Sequence, residues 1–341
     1  MATKINTFKH RLAALSAVVM VSLSVANPAF ASEEKPGEGV TVKPIFPPIA
    51  EERFRGEIVV AGLKELGYEV EEPKESEYPT MMLALSYGDA DFTVHLWNNL
   101  HDNFYQRAGG DDTMVKLGTM MPGVLQGYLI DKKTADKYNI DSLDDFKDPE
   151  IAKLFDRNGD GTADLTGCTP GWGCELVIDH HIEAYGLEKT VTHDRGSYFA
   201  LMANTISRYN DGEPIFYYTW VPQWISGVLK ENQDVTWLSV PFTSLPSGKN
   251  DINTSYQGKN LGFAVDSVMT VANKEFVEDN PVAAKFLSLV QIQPADESKE
   301  NLAMRNGEST IEDIQTHAEV WISQNQDKFN QWIKLAKAEQ K

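Results

Sequence analysis

The sequence is poor in cysteine and in basic residues. Only two of its 341 residues are cysteine, too few for a structural zinc shell made of four cysteines. Lys and Arg together number 31 against 50 Asp and Glu, so the formal charge is −19. An acidic chain of this kind repels phosphate groups, which argues against nucleic acid and anionic membranes as partners. The hydrophobic fraction of 42% excludes general disorder, and the length allows roughly two domains.

Long hydrophobic runs are absent except near the N-terminus. Three basic residues precede an apolar run over 12–26, and a small-x-small site from Ala29 to Ala31 follows. This pattern predicts a secretory signal peptide over residues 1–31, cleaved near Ala31. A retained membrane anchor is the alternative, but the run is shorter than the roughly 20 residues that a spanning helix needs, and Pro28 interrupts it. We therefore expect a mature protein outside the cytoplasm.

The two cysteines, Cys168 and Cys174, enclose Thr-Pro-Gly-Trp-Gly. In an oxidising compartment we expect them to pair, and the bridge would hold Trp172 in place between two glycines. A redox pair and half of a zinc site are the alternatives. The spacing differs from the two-residue spacing of thioredoxin-like and zinc-ribbon motifs, which favours a structural disulfide.

Strand and helix patterns alternate along the mature chain. Strands are predicted at 40–47, 68–70, 91–94, 126–130, 215–218 and 265–272, and helices at 51–66, 78–87, 142–147, 149–155, 176–185, 198–209, 281–291, 310–324 and 327–339. This alternation predicts an α/β protein with a mostly parallel sheet. Because no long linker interrupts it, we expect two α/β lobes with a ligand cleft between them.

The predicted lobes are not both continuous in sequence. Lobe 1 is expected to comprise residues 32–125 together with 250–341, and lobe 2 residues 126–249. No oligomerisation signal is present, so a monomer is expected.

One loop has the oxygen spacing of a calcium site. Asp156, Asn158, Asp160 and Asp164 occupy positions 1, 3, 5 and 9 of an EF-hand-like loop, but Gly167 replaces the bidentate glutamate at position 12. A structural calcium is one interpretation, and a turn satisfied by its own backbone is the other. No further cofactor is expected.

Three of the seven tryptophans stand at the ends of strand or turn patterns. They are Trp97, Trp172 and Trp220. Loops at strand ends bind ligands in open α/β sheets. Several indole faces around one cavity attract a quaternary ammonium group, which has no N–H to donate and is stabilised by ring quadrupoles instead. The other four tryptophans are expected to pack in the core or at an interface.

Anion-binding groups are predicted beside these indoles. His101 lies four residues after Trp97, so a helix beginning there would place both side chains on one face. The backbone N–H groups of Gly173 and Cys174 precede a helix predicted to start near Glu175 and would form an anion site at its N-terminus. Together they predict a pocket for a small zwitterion, although His101 alone could equally be a surface or capping residue.

An enzyme is the rival class of function. His101 with Asp102, or the run from Asp179 to His181, could serve a hydrolase or a metal site. Adjacent residues on a helix point in different directions, so His180 and His181 are expected to be ordinary helix residues. No nucleophile elbow, zinc-binding His-Glu-x-x-His helix or Gly-rich phosphate loop accompanies them, which argues against an enzyme.

Four stretches resemble the periplasmic glycine betaine/proline betaine-binding proteins of osmoregulatory ABC importers. They are Trp97 to Asn103, Asn158 to Glu175 with its cysteine hairpin, Asn204 to Tyr209, and Phe216 to Trp220. The resemblance covers nearly the whole mature chain. It differs at Asn98-Asn99, where the family pattern has Thr-Pro.

The resemblance implies a type II periplasmic binding fold and a receptor that is not an enzyme. It implies that Trp97, Trp172 and Trp220 hold a trimethylammonium group, and that the carboxylate meets the His101 side chain and the amides of Gly173 and Cys174. The receptor would collect glycine betaine, with proline betaine, in the periplasm for osmoprotection and pass it to a membrane permease with its ATPase. A receptor for choline, carnitine or another quaternary ammonium solute is the alternative.

Overall fold

The computed structural model describes residues 35–246, 248 and 250–340. The predicted signal peptide lies outside these residues. None of the helices in the described part of the chain has the length and apolar character needed to cross a membrane.

Strands and helices alternate along the chain. The strands are β1 (Thr41–Val42), β2 (Ile45–Phe46), β3 (Glu69–Val70), β4 (Lys74–Glu75), β5 (Phe92–Trp97), β6 (Met114–Asp131), β7 (Ala163–Thr166), β8 (Val191–Asp194), β9 (Phe216–Val221), β10 (Val235–Trp237), β11 (Ser255–Tyr256), β12 (Lys259–Asn260) and β13 (Asp266–Asn273). The helices are α1 (Ala50–Glu65), α2 (Tyr78–Ser86), α3 (Asp102–Arg107), α4 (Lys132–Tyr138), α5 (Pro149–Ala152), α6 (Gly173–Ala184), α7 (Tyr198–Asn210), α8 (Ile225–Val228), α9 (Lys274–Asp279), α10 (Pro281–Leu289), α11 (Pro294–Arg305), α12 (Ile311–Gln324) and α13 (Gln326–Lys337), with short 3-10 helices at Gly110–Asp112, Leu143–Lys147 and Lys153–Phe155.

Most predicted elements are confirmed within a few residues. Two differ in kind. The predicted strand over 40–47 is two short strands, β1 and β2, separated by Lys43 and Pro44. The predicted helix over 142–147 is a 3-10 helix, Leu143–Lys147, which Ser142 caps. The proline lacks the N–H that a continuous strand would have used, which accounts for the first break.

The prediction of a mostly parallel sheet was wrong. The main sheet has seven strands in the order β5-β13-β6-β9-β7-β8, with β10 paired to β6. The β5–β13, β13–β6, β6–β9 and β6–β10 pairs are antiparallel, and only β7 with β8 and β9 is parallel. Alternation of strands and helices does not fix direction when a long strand such as β6 pairs with strands far away in sequence.

The long strand β6 runs through both halves of this sheet. From Met114 to Val124 it pairs with β13, and from Leu125 to Ile130 it pairs with β9. The change of partner follows Pro122 and Gly123, and Gly123 has a φ of 71°. One strand therefore belongs to two groups of elements, and it brings β5 and β9 towards the same cleft.

The helix α1 packs behind β5 with help from a close approach at Gly62. A Cβ at Gly62 would lie 2.0 Å from the Phe286 ring of α10, so only glycine permits this contact. The helices α11 and α12 pack on α1 as well. At the C-terminal end, Trp321 and Trp332 are buried and stacked with centroids 6.3 Å apart, as expected for core tryptophans. This packing fixes the N-terminal end of α1 beside the cleft.

Candidate functional site

The turn after β5 presents Trp97 and His101 to one cavity. Trp97 is the last residue of β5 and α3 begins only at Asp102, so a helix does not begin at Trp97. The turn joins them instead, because His101 N donates to Trp97 O at 2.9 Å and Trp97 N donates to His101 Nδ1 at 3.2 Å. Their proximity, which the helix was meant to explain, is therefore present with a different geometry.

A buried carboxylate holds this turn. The backbone N–H groups of Asn99 and Leu100 and the Asn99 side chain donate to Asp266 of β13 at 3.0 to 3.1 Å. Burial raises the pKa of Asp266, and these bonds act in the opposite direction. The Lys116 ammonium of β6 also donates to Asn98 Oδ1 at 2.8 Å. The turn is thus fixed to two strands of the sheet.

The opposite side of the cavity is built on the cysteine hairpin. Cys168 and Cys174 form the predicted disulfide. The helix α6 begins at Gly173, two residues earlier than predicted, with Trp172 at its N-cap position. The N–H groups of the first residues of a helix have no acceptor within the helix and lie at its positive end. Gly173 and Cys174 therefore offer two such donors.

The helix end approaches His101 closely. A Cβ at Gly173 would lie 2.8 Å from Leu100 Cγ and 3.0 Å from His101 Cδ2. Glycine is therefore required for this approach. The predicted anion-binding groups from the two sides of the cavity are direct neighbours.

Two of the three indoles contact each other. The Trp172 and Trp220 ring centroids are 5.8 Å apart with an interplanar angle of 74°. The Tyr198 ring supports both, at 6.0 Å from Trp172 and 4.7 Å from Trp220. The Trp172 Nε1–H is buried and has no acceptor among the described residues. A buried donor of this kind is costly unless something accepts its hydrogen bond.

All six predicted ligand-binding residues line the same cavity. They are Trp97, His101, Trp172, Gly173, Cys174 and Trp220. The space between the lining residues, counted together with the solvent that opens into it, is about 300 Å³. Sequence reasoning missed the other lining residues, which are Ile49, Glu52, Tyr78, Leu100, Gln126 and Tyr218. Of these, Tyr218 could have been found, because it lies two residues before Trp220 in a strand and so shares its face.

His101 is a neutral donor in this cavity. Burial lowers its pKa to about 3, so the ring is uncharged at neutral pH. Since Nδ1 accepts from the Trp97 N–H, the ring proton resides on Nε2. The ring lies against Tyr78 with centroids 3.9 Å apart. His101 is thus a buried residue with one N–H to offer.

A buried ionic cluster lies behind this wall. Burial alone would raise the pKa of Glu52, but Arg55, His95 and Tyr78 outweigh that effect and bring it to about 2. Arg55 Nη2 donates to Glu52 Oε2 at 2.6 Å, and Tyr78 Oη donates to the same oxygen at 3.0 Å. Arg55 also pairs with Glu297 of α11. An ionised carboxylate therefore forms part of the cavity lining.

The calcium-like loop lies outside the cavity. Asp156 accepts hydrogen bonds from the N–H groups of Gly159 and Gly161, and Asn158, Asp160 and Asp164 also accept bonds from within the loop. These bonds have the form of the self-satisfied turn, and in the described part of the chain no cluster of three acidic, His or Cys side chains has the form of a metal site. Calcium binding here stays a prediction. A melting temperature that rises with added calcium over a chelator control would support it.

The adjacent histidines of α6 are ordinary structural residues, as expected. His181 is buried and bonded to Tyr128 Oη at 2.8 Å and to Ser244 O at 2.9 Å, whereas His180 contacts the Ser244 hydroxyl. Burial lowers the pKa of His181 to about 3. The two rings therefore serve different bonds and do not converge on one point.

Known proteins that are similar to this chain belong to the family that the sequence resembles. Residues 40–324 match the family model described as the substrate binding domain of ABC-type glycine betaine transport systems. The glycine betaine/proline betaine-binding periplasmic protein of Escherichia coli K12 is 49% identical over 306 residues, which are 90% of this chain and 93% of the relative.

Solved structures agree on the fold. Lactococcal OpuAC, closed around glycine betaine, is similar with a TM-score of 0.66 at 20% identity, covering 86% of this chain and 99% of that one. A choline-binding protein of an ABC transporter in complex with choline gives 0.68 at 17% identity, covering 87% and 97%. The fold is thus the two-lobed α/β fold of periplasmic binding proteins. With the family model matching most of its length, the chain belongs to the family of substrate-binding domains of ABC-type glycine betaine transport systems.

Proposed function

We propose that this protein is a periplasmic receptor that captures glycine betaine, and proline betaine with it, for uptake in osmoprotection. The observation that carries the proposal is a single buried cavity that combines three indoles with a cluster of N–H donors. The family to which the chain belongs and the names of its relatives support the same ligand class. The function is capture and delivery, without catalysis.

The indoles would hold the trimethylammonium group. Trp172 and Trp220 meet nearly at right angles, which gives a corner of two ring surfaces, and Trp97 lines the cavity from β5. A quaternary ammonium has no N–H, so contact with ring faces satisfies it at about 0.5 to 2 kcal/mol for each ring.

The N–H groups would hold the carboxylate. His101 Nε2, the amides of Gly173 and Cys174, and Trp172 Nε1 are donors in the wall, and the first two residues are within contact distance of each other. Neutral donors suit this task, because each bond to a charged carboxylate contributes about 1.5 to 3 kcal/mol without a second buried charge.

The lobes would close on the ligand from either side. Lobe 1 would comprise residues 32–125 and 250–341, and lobe 2 residues 126–249. The change of β6 from β13 to β9 after Val124 supports a boundary there. Trp97 and His101 would then belong to one lobe, and Trp172, Gly173 and Trp220 to the other.

The cellular setting follows from the relatives. The Escherichia coli relative is named as a periplasmic protein. We propose that this chain loses residues 1–31 near Ala31, acts as a monomer in the periplasm, and delivers its ligand to an inner-membrane permease with its ATPase.

One observation favours a second candidate, a receptor for choline, carnitine or another quaternary ammonium solute. Glu52 lines the cavity and is ionised, and a negative charge there favours a ligand with more positive character than a zwitterion. Which ligand class binds more tightly depends on whether the attraction of Glu52 for a cation or the hydrogen bonds of the N–H donors to a carboxylate contribute more binding free energy.

Calorimetric titration of residues 32–341 with glycine betaine, choline and proline tests the proposal. One-to-one binding of glycine betaine with little heat from choline is expected. Binding of choline without glycine betaine would replace the first proposal by the second. His101→Ala should then weaken glycine betaine binding specifically, and Trp321→Phe, which is in the stacked pair with Trp332 and does not line the cavity, is the control.

A further inference from the structure

A buried glutamine lines the cavity. Gln126 of β6 is 2% exposed and lies opposite Trp220 of β9 in the strand register. Paired residues on neighbouring antiparallel strands project from the same face of a sheet, so the amide lies beside the indole. Its position makes Gln126 a direct neighbour of the ligand space.

A second, larger cleft adjoins the cavity, and the residues shared by the two spaces show where Gln126 lies. Three residues line both spaces, namely Leu100, Gln126 and Gly173. Gly173 carries one of the N–H groups of the α6 end and approaches His101. Gln126 therefore lies at the end of the cavity where the N–H donors gather.

A tyrosine orients this amide. Tyr218 Oη donates to Gln126 Oε1 at 2.7 Å. Burial raises the pKa of Tyr218 well above its usual range, so the phenol keeps the proton that it donates. With Oε1 accepting from Tyr218, the NH2 group of Gln126 is turned away from the phenol, and Nε2 has no acceptor among the described residues.

We propose that Gln126 determines specificity by donating from Nε2 to the carboxylate of the ligand, with Tyr218 as its positioning residue. The inference rests on the proposed function, since it needs a ligand that carries both an onium and a carboxylate. The amide adds a donor to those of His101 and the α6 end. It offers nothing favourable to an onium, because its free hydrogens are positive.

Two substitutions separate this role from packing. Gln126→Leu removes the donor without adding charge, and Gln126→Glu replaces it by a carboxyl group that keeps the bond from Tyr218. Each is titrated with glycine betaine and with tetramethylammonium, which has the onium and lacks the carboxylate. For Gln126→Leu we expect about a 10- to 100-fold loss of glycine betaine affinity, the effect of one bond to a charged group, and a change within about twofold for tetramethylammonium.

The pH dependence of Gln126→Glu gives a sharper readout. At pH 8 an ionised Glu would repel the ligand carboxylate, and we expect the loss for glycine betaine to exceed that of Gln126→Leu. Towards pH 5 the buried carboxyl group takes up a proton and becomes a donor, so affinity should recover. The original protein should depend on pH much less than this variant does, because the groups that line the cavity keep their charge state: His101, with a pKa of about 3, stays neutral, and Glu52, with a pKa of about 2, stays ionised. Glu297, whose pKa is about 7, titrates in this range but does not line the cavity.

Gln223 provides a matched control. It is equally buried, and its Nε2 also lacks an acceptor among the described residues, but it does not line the cavity. Gln223→Leu should keep both affinities within about twofold of the original protein. Tyr218→Phe, which frees the Gln126 amide to rotate, should lower glycine betaine affinity less than Gln126→Leu does.

These titrations distinguish failure of the proposed role of Gln126 from failure of the proposed receptor function. If the original protein binds glycine betaine and Gln126→Leu binds it equally well, or if both ligands weaken together, the role of Gln126 is refuted and the receptor function stands. If the original protein binds tetramethylammonium but no glycine betaine, both proposals fail.

Discussion

The two walls of the cavity are built by different means. The charged wall consists of Glu52, Tyr78, Trp97 and His101, which rest on the Arg55 cluster and on the turn held by Asp266. The aromatic wall consists of Trp172, Tyr218 and Trp220, which rest on Tyr198 and the cysteine hairpin.

The two walls should differ in how strongly a substitution destabilises the folded protein. Buried charges that lose a partner are strongly destabilising, because no water replaces the lost interaction. Aromatic packing fails more gradually, since each ring makes many small contacts. We therefore expect damage to the charged wall to affect folding first, and damage to the aromatic wall to affect binding first.

The largest effect is expected from breaking the ionic cluster. Arg55→Ala leaves the Glu52 and Glu297 carboxyl groups buried without their shared cation, and should lower the free energy of unfolding by about 3 to 5 kcal/mol. Urea unfolding measures the change. Lys64→Ala, at an exposed position of the same helix, is the control and should change stability by less than about 0.5 kcal/mol. A loss as small in Arg55→Ala would show that the cluster is dispensable.

Acidification tests the buried histidines without mutation: His101 in the charged wall, His95 behind it, and His181 of α6. Burial lowers the pKa of His95 to about 4 and of His101 and His181 to about 3, so the unfolded chain binds more protons than the folded one below the usual pKa of about 6.5. Stability should therefore fall as the pH falls through this range. Glu297 opposes the trend, because burial raises its pKa to about 7 and the folded state holds its proton.

The free energy of unfolding should fall from pH 6.5 to pH 5.5, because three buried histidines outnumber Glu297. Urea titrations at the two pH values measure it. Glu297→Gln removes the opposing group, so in this variant the pH dependence should become steeper. An unchanged stability between the two pH values would mean that the buried histidines are charged in the folded state.

The aromatic wall should respond mainly in binding. Trp220→Ala removes one face of the corner and should weaken glycine betaine and tetramethylammonium alike, by about 10- to 30-fold, the equivalent of about 1.4 to 2 kcal/mol. Calorimetry measures both ligands. Trp321→Ala is the control, since it removes a buried indole that does not line the cavity and should lower stability with unchanged affinity. Equal binding losses in both variants would mean that general loosening explains the result.

The smallest effect is expected at the turn that carries the charged wall. Asp266→Asn replaces a carboxylate that accepts only N–H groups by an amide whose NH2 would face those donors. The turn should become less ordered, and glycine betaine affinity should fall about threefold to tenfold, with a smaller change for tetramethylammonium because His101 moves with the turn. Ser267→Ala, the next residue on β13, is the control. A loss confined to stability would show that the turn does not position His101.

The same contrast separates what the sequence predicted from what it missed. The aromatic wall could be read from local patterns, because glycines and cysteines flank Trp172 and Trp220 ends a strand pattern. The charged wall could be read only in part: Trp97 and His101 were predicted, but Glu52 and Tyr78 come from helices distant in sequence from Trp97. Nothing local marks a carboxylate that will be buried beside a cavity.

The sheet shows a similar limit. Most predicted elements are present, but α4, α11, β7 and β8 were not predicted. The strand β6 was predicted only over 126–130, although it extends from Met114 to Asp131. Pro122 and Gly123 argue against a strand when taken alone. They are tolerated because the pairing changes from β13 to β9 at that point, and this is decided by strands that are far apart in the chain.

The shared strand also bears on how the protein melts. Because β6 is interior to both groups of strands, neither group can lose its order without removing hydrogen-bond partners from the other. The two proposed lobes should therefore unfold as one cooperative unit, with a single calorimetric transition whose van't Hoff and calorimetric enthalpies agree.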